Sequence, residues 1–159
     1  MSKLGIYLND HYAGSVAAVQ LARRAARSNR GTPYGEVLAT LADEIDEDRQ
    51  SLRLIMQRLG IRSDPVKATV AWSAEKLGRL KLNGQLTGYS PLSRLEELEI
   101  LSLGVEGKLG MWRALARGVD HGIPEAELTT LIKRAESQRR RLERQRLEAA
   151  PEALSPTST

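Results

Sequence analysis

Carboxylates and two histidines are the main candidates for chemistry in this 159-residue chain. The sequence has no cysteine, which excludes thiolate nucleophiles, disulfides and cysteine-ligated metal centres. His11 and His121 are the only histidines for acid–base work or metal binding. No glycine-rich phosphate loop and no Ser–His–Asp arrangement is present. The sequence therefore supports no enzyme class beyond di-metal chemistry.

The carboxylates concentrate in residues 36–48, a segment with six acids and no base. Asp48 lies on an apolar helical stripe between Ile45 and Leu52, and Glu44 lies one turn earlier at its edge. A bare buried carboxylate costs several kcal/mol, so Asp48 must be paired, protonated or metal-bound. We expect an internal salt bridge or hydrogen-bond network. The alternative is a metal site with the ligands His11, Glu44, Asp48 and Glu106.

Glycine and proline divide the chain into the helices that would position these groups. A glycine follows each of four helical patterns, and a proline comes a few residues later. This order is typical of helix ends and helix starts. The alternating pattern of strands is absent. The sequence predicts helices over about 3–30, 33–59, 65–82, 91–117 and 124–149.

The lengths of the connections predict how the helices pack. Two or three residues separate the first two long helices, which favours an antiparallel hairpin. The much longer connection to the third long helix contains the short helix 65–82 and can cross the bundle. We therefore predict one helical bundle over residues 1–150 and a disordered tail over residues 151–159.

Three stretches of the sequence resemble the ferritin-like superfamily: LNDHYAGSVAAVQLARRAA, LADEIDEDRQSLRLIMQRLG and AEKLGRLKLNG. They are similar to an actinobacterial group of ferritin-like proteins whose role is uncharacterised. The chain is also distantly similar to the bacterial stress-response proteins of the YciE/YciF kind. The resemblance covers residues 1 to about 149. It implies an all-α, ferritin-like four-helix bundle with a short crossover helix between the second and third long helices.

Metal-binding members of that superfamily place a glutamate on each of two helices and a Glu-x-x-His motif on each of the others. Here the helix predicted over 124–149 has no histidine, and its central polar residue is Gln138. A complete di-iron ligand set cannot be written. We expect a non-enzymatic protein without cofactor that acts through association, with a stress-linked role implied by the resemblance. The alternative is a di-metal carboxylate oxidase or metal-binding protein that uses iron or manganese.

The positive charge lies mainly in one segment. The net charge is +4, and residues 133–146 carry seven bases against two acids. The simpler interpretation is a solvated helix end whose last three turns are weakly buried. A second alternative is a protein that binds nucleic acid or an anionic membrane surface through this helix.

The third long helix is apolar over more than half of its circumference, which one pair of neighbours cannot cover. We therefore expect a homodimer. No stretch of about 18 uncharged apolar residues and no leader pattern is present. We expect a cytoplasmic protein without a transmembrane segment.

Overall fold

The computed structural model describes residues 2–63, 88–118 and 121–156. Within these ranges the chain forms four α-helices and no strand, which confirms the all-helical prediction. The helices are α1 (Lys3–Ser28), α2 (Pro33–Arg58), α3 (Pro91–Arg117) and α4 (Glu125–Leu154). The predicted helix 65–82 lies outside the described residues.

Hydrogen bonds between serine side chains and nearby backbone amides explain where α1 and α3 begin. The hydroxyl of Ser2 accepts a hydrogen bond of 3.0 Å from the Gly5 amide at the start of α1. In α3, Ser90 and Ser93 form a reciprocal capping box, and Pro91 occupies the first turn. These contacts satisfy backbone donors that a helix N-terminus leaves unpaired.

The turn between α1 and α2 is tight. Gly31 adopts φ +79°, which favours glycine. At Gly35 a Cβ atom would lie 2.4 Å from the Asn29 carbonyl oxygen, so a larger residue would force the turn apart. The two helices consequently leave this turn as an antiparallel hairpin, as predicted.

Contacts between the helices give their directions. Arg24, near the end of α1, forms an ion pair of 2.9 Å with Glu97, near the start of α3, so α1 and α3 run antiparallel. Arg58 at the end of α2 lies 2.7 Å from Glu127 at the start of α4, so these two helices also run antiparallel. It follows that α2 and α3 run parallel. The first hairpin therefore ends at one end of the bundle and the second begins at the other.

The core consists of two apolar clusters, one toward each end of the bundle. The first joins the start of α1 to the end of α3, with Leu8 and Trp112 both fully buried. The second joins the start of α2 to the start of α3, with Leu38 and Leu98 among its members. The ion-pair network described below lies between them.

Most of the apolar surface of α3 is covered within a single chain. Its buried apolar residues are Leu95, Leu98, Leu101, Val105, Leu109, Met111, Trp112 and Leu115. Leu103, 66% exposed, is the most exposed large apolar residue of this helix. The homodimer stays a prediction, but the wide uncovered face on which it was based does not exist on the described helix.

Helix α4 differs from its prediction in two respects. Its last turns are not weakly buried, because Leu142, Gln145 and Ala149 pack inward with at most 7% exposure. The helix also continues through Pro151 to Leu154 instead of ending near residue 149. Proline removes one backbone hydrogen bond, and an ion pair of 3.1 Å between Arg94 and Glu152 holds this last turn against α3.

No helix in the described part of the chain is long and apolar enough to span a membrane.

Candidate functional site

Asp48 lies at the centre of the bundle, 1% exposed, and receives donors from two other helices. The ammonium of Lys108 on α3 lies 2.5 Å from its Oδ2 atom, and the amide of Gln138 on α4 donates to the same oxygen at 2.9 Å. The Nε atom of Arg134, also on α4, lies 2.5 Å from Oδ1 as an ion contact without hydrogen-bond alignment. Lys108 also donates to the Gln138 carbonyl oxygen at 2.5 Å. We call these four residues the central network.

Burial shapes the electrostatics of Lys108, whose side chain is 13% exposed. Removal from water lowers its pKa, and the Asp48 carboxylate opposes that change. An ammonium in such a place is stable only with good partners. Asp48 and Gln138 each supply one oxygen acceptor to this ammonium. The negative charge of Asp48 also compensates the positive charge of Lys108.

A second layer of ion pairs surrounds the central network on the α2–α4 side. Glu44 pairs with Arg141, and Glu47 lies 3.0 Å from Arg134. Burial opposes ionisation of Glu44, but the hydrogen bond and charge of Arg141 outweigh it and lower the pKa of this carboxyl. The carboxylates of this region are therefore matched by cations.

The four predicted metal ligands do not come together as one site. Asp48 and Glu44 are engaged by cations as described, and Glu106 is 51% exposed, 3.1 Å from Arg139. His11 lies on α1 with its ring edge-on to Tyr7 at 4.7 Å between centroids. Among the described residues, no group of three or more His, Asp or Glu side chains could hold a metal ion. Metal binding by these four residues stays a prediction.

The donors around Asp48 also disfavour a cation at this position. A metal ion held by a carboxylate and a histidine requires oxygen or nitrogen ligands at about 2.0–2.2 Å. Here an ammonium and a guanidinium already lie beside the Asp48 oxygens, and both would repel a dication. The expected internal salt-bridge network is what the structure contains.

A cavity of about 300 Å³ adjoins the central network between α1, α2 and α3. Its lining includes the polar residues His11, Asp48 and Lys108 and the apolar residues Leu52, Val105 and Trp112. Burial lowers the pKa of His11, and the charge of Asp10 opposes this shift. His11 therefore presents a neutral imidazole to the cavity at neutral pH.

Trp112, 0% exposed, belongs to the cavity wall and carries an unusual feature. Its indole N–H has no hydrogen-bond acceptor in the part of the chain that the structure describes. A buried donor without a partner costs about 1–3 kcal/mol. Such groups are rare in folded proteins.

A separate polar cluster connects the two hairpins at the C-terminal end of α1. The Tyr89 hydroxyl accepts from the Asn29 amide at 2.6 Å and donates to Glu97 at 3.0 Å. Arg24 neutralises Glu97, and Arg94 donates to the side-chain Oδ1 atom of Asn29 at 2.6 Å. We call these five residues the end cluster. Burial and the Glu97 charge raise the pKa of Tyr89 to about 12.

The basic segment 133–146 is largely paired with acids of the bundle. Arg134, Arg139, Arg141 and Arg146 each form an ion pair. Lys133, Arg140 and Arg144 have no ion pair among the described residues, and their spacing places them on one outer face of α4. The free positive charge of this helix is therefore much smaller than its composition indicates.

The sequence prediction missed Lys108 and Arg134. A signal for Lys108 exists, because it follows Leu101 at seven residues and precedes Trp112 at four, on the buried stripe of α3. A lysine at such a position requires an acid opposite it, and Asp48 is the acid on the stripe of α2. Arg134 has no comparable signal, since it is one base among the many on α4.

Comparison of the chain with protein-family models, with curated proteins and with solved structures finds no match. The function is therefore inferred from the geometry of the chain itself.

Proposed function

We propose that this protein is a metal-poor, ferritin-like four-helix bundle that acts through association and not through di-metal oxidation. The central network carries this proposal. In it, Lys108 and Arg134 supply positive charge to Asp48 at the centre of the bundle, where a di-metal protein would use metal ions. The centre is thereby neutralised by side chains of the chain itself.

The topology supports the ferritin-like part of the proposal. Two antiparallel hairpins are joined so that α2 and α3 run parallel, as a long crossover connection requires. Bundles of this kind build their metal sites from inward-facing side chains at mid-helix, which is the level at which Asp48 and Gln138 lie. A stress-linked role is part of the proposal and rests on the resemblance of the sequence alone.

A gain-of-function titration tests the replacement of metal by side-chain charge. The Lys108→Glu variant removes the ammonium and adds a carboxylate beside Asp48. We expect calorimetric titration with Mn²⁺ or Zn²⁺ to show binding to this variant and none to the unmodified chain. Lys133→Glu makes the same charge change on the exposed face of α4 and serves as the matched control. Tight binding by the unmodified chain, lost in Asp48→Ala, would contradict the proposal.

We propose that the association is a homodimer, and Leu103, which is 66% exposed on α3, is the first position at which to test it. Light scattering over a range of protein concentrations measures the mass directly. We expect a dimer that Leu103→Gln dissociates. Leu54→Gln changes a leucine of similar exposure on α2 and should leave the dimer intact. A monomer at all concentrations would exclude this surface.

A further inference from the structure

Four residues of α3 follow one another at intervals of seven: Glu96, Leu103, Gly110 and Arg117. Seven residues are nearly two helical turns, so the four lie on one face of the helix with a drift of only about 20° per interval. We call this set the outer stripe. We propose that two copies of the chain pair antiparallel through the outer stripe, about a two-fold axis. This inference rests on the proposed homodimer and gives its geometry.

The outer stripe points away from the bundle. Leu103 is 66% exposed, and Gly110 and Arg117 are exposed as well. A Cβ atom added at Gly110 would meet no heavy atom within 4 Å, so the space beside this glycine is open. Glu96 is partly exposed, and neither Glu96 nor Arg117 forms an ion pair within the described ranges. The stripe therefore presents an apolar side chain, an open space and two opposite charges to the outside.

The outer stripe is complementary to itself. The midpoint between Leu103 and Gly110 in the sequence is also the midpoint between Glu96 and Arg117. A two-fold axis through this midpoint, perpendicular to the helix, sets each residue opposite its counterpart in a second copy. Leu103 then packs over Gly110 of the partner subunit, and Glu96 lies opposite Arg117 of the partner subunit. A parallel pair would instead set identical charges opposite each other, which would repel.

Neighbouring charges leave this pairing unopposed. On the side of α3 that faces α4, Glu99 lies 3.4 Å from Arg146, and Glu106 lies 3.1 Å from Arg139. Each of these acids is therefore neutralised within its own chain. The interval of seven also favours a crossing angle of about 20°, which keeps two helices in contact over several turns. Charge and shape thus both point to a second copy of this chain as the occupant of the stripe.

Charge reversal tests the pairing of Glu96 with Arg117 of the partner subunit. Glu96→Arg and Arg117→Glu each replace two attractions by two repulsions. We expect either variant to raise the dimer dissociation constant, measured by analytical ultracentrifugation at low salt, about tenfold. An equimolar mixture of the two variants restores both attractions in a heterodimer and should recover the affinity of the unmodified chain. Lys133→Glu reverses a charge on the outer face of α4 and serves as the control.

Disulfide formation tests the register, because the chain has no cysteine of its own. In the proposed pair, thiols introduced by Leu103→Cys and Gly110→Cys in one chain lie opposite those of the partner subunit. Within one helix the two positions are about 10 Å apart, which is too far for a disulfide. We expect mild oxidation to give a covalent dimer of this double variant and none of Leu103→Cys alone. A covalent dimer of Leu103→Cys alone would indicate a parallel pair and overturn the inference.

The failure of this inference can be distinguished from the failure of the proposed homodimer. If the chain dimerises but the charge reversals leave its affinity unchanged, or the thiols at 103 and 110 do not join, the pairing through α3 is overturned and the homodimer stands. A chain that is monomeric at all concentrations would overturn both.

Discussion

The ammonium of Lys108 lies 2.5 Å from the carboxylate of Asp48 at the centre of the bundle, and this pair joins the two hairpins. Asp48 belongs to the first hairpin and Lys108 to the second. Asp48 is the only carboxylate that the described ion pairs give to Lys108, and an isolated buried charge costs several kcal/mol. The pair therefore couples the register of α2 to that of α3.

A double-mutant cycle measures this coupling. Asp48→Ala leaves the Lys108 ammonium in the bundle centre without a carboxylate, and we expect it to lower the free energy of unfolding by about 3–5 kcal/mol. Lys108→Met should cost less, because Arg134 and Gln138 still contact Asp48. The combination Asp48→Ala with Lys108→Met should recover part of the loss, with a coupling energy of about 1–3 kcal/mol.

Urea denaturation provides the free energies for this cycle. Arg58→Ala serves as the control, since it removes an ion pair whose arginine is 53% exposed and should cost less than about 1 kcal/mol. Additive effects of the two central substitutions would show that Asp48 and Lys108 do not interact.

How much of this arrangement the sequence predicts depends on the distance between the partners along the chain. The burial of Asp48 can be predicted because Ile45 and Leu52 lie on the same stripe of one helix, a pattern that is local in the sequence. Its partners do not follow, because Lys108 and Arg134 lie on distant helices whose register is set by packing. The same limit applies to α3, whose apolar surface the other helices of the bundle cover.

His11 should titrate below the usual histidine range. Burial lowers its pKa, against the opposing charge of Asp10. Because the pKa of His11 in the folded state lies below its ordinary value of 6.5, folding favours the neutral imidazole. The contribution of neutral His11 to the free energy of unfolding is therefore present above pH 6.5 and is lost as the pH falls through the pKa of the folded state. NMR titration of the two histidines, assigned with His11→Gln, measures this directly. A pKa of 6.5 or higher for His11 would contradict the buried position.

Tyr89 should make the fold sensitive to alkali. Its pKa of about 12 lies above the ordinary value of 10, so its contribution is present below pH 10 and is lost as the pH rises through 12. We expect Tyr89→Phe to cost about 1 kcal/mol at pH 7 through the two lost hydrogen bonds. The variant should also weaken the dependence of stability on pH above 10.

Tyr7→Phe serves as the control for this prediction, because Tyr7 has a similar exposure of 37% and lies outside the end cluster. Thermal unfolding between pH 7 and pH 11 compares the variants. Equal behaviour of Tyr89→Phe and the unmodified chain would show that the end cluster contributes nothing to stability.

Polyanions should bind weakly to α4. Four of its arginines already pair with acids, and Lys133, Arg140 and Arg144 remain on the outer face. We expect the chain to leave a heparin column below about 0.2 M salt. Retention at higher salt, lost when these three residues become glutamine, would instead support the nucleic-acid or membrane alternative.

Metal analysis of the unmodified chain tests the central claim most directly. The protein is purified without chelator, incubated with iron, manganese or zinc, separated from free metal and measured by plasma mass spectrometry. Because Lys108 and Arg134 already neutralise Asp48, we predict metal far below one ion per chain. One or two ions per chain, lost on Asp48→Ala or Glu44→Ala, would contradict this account and favour a di-metal centre.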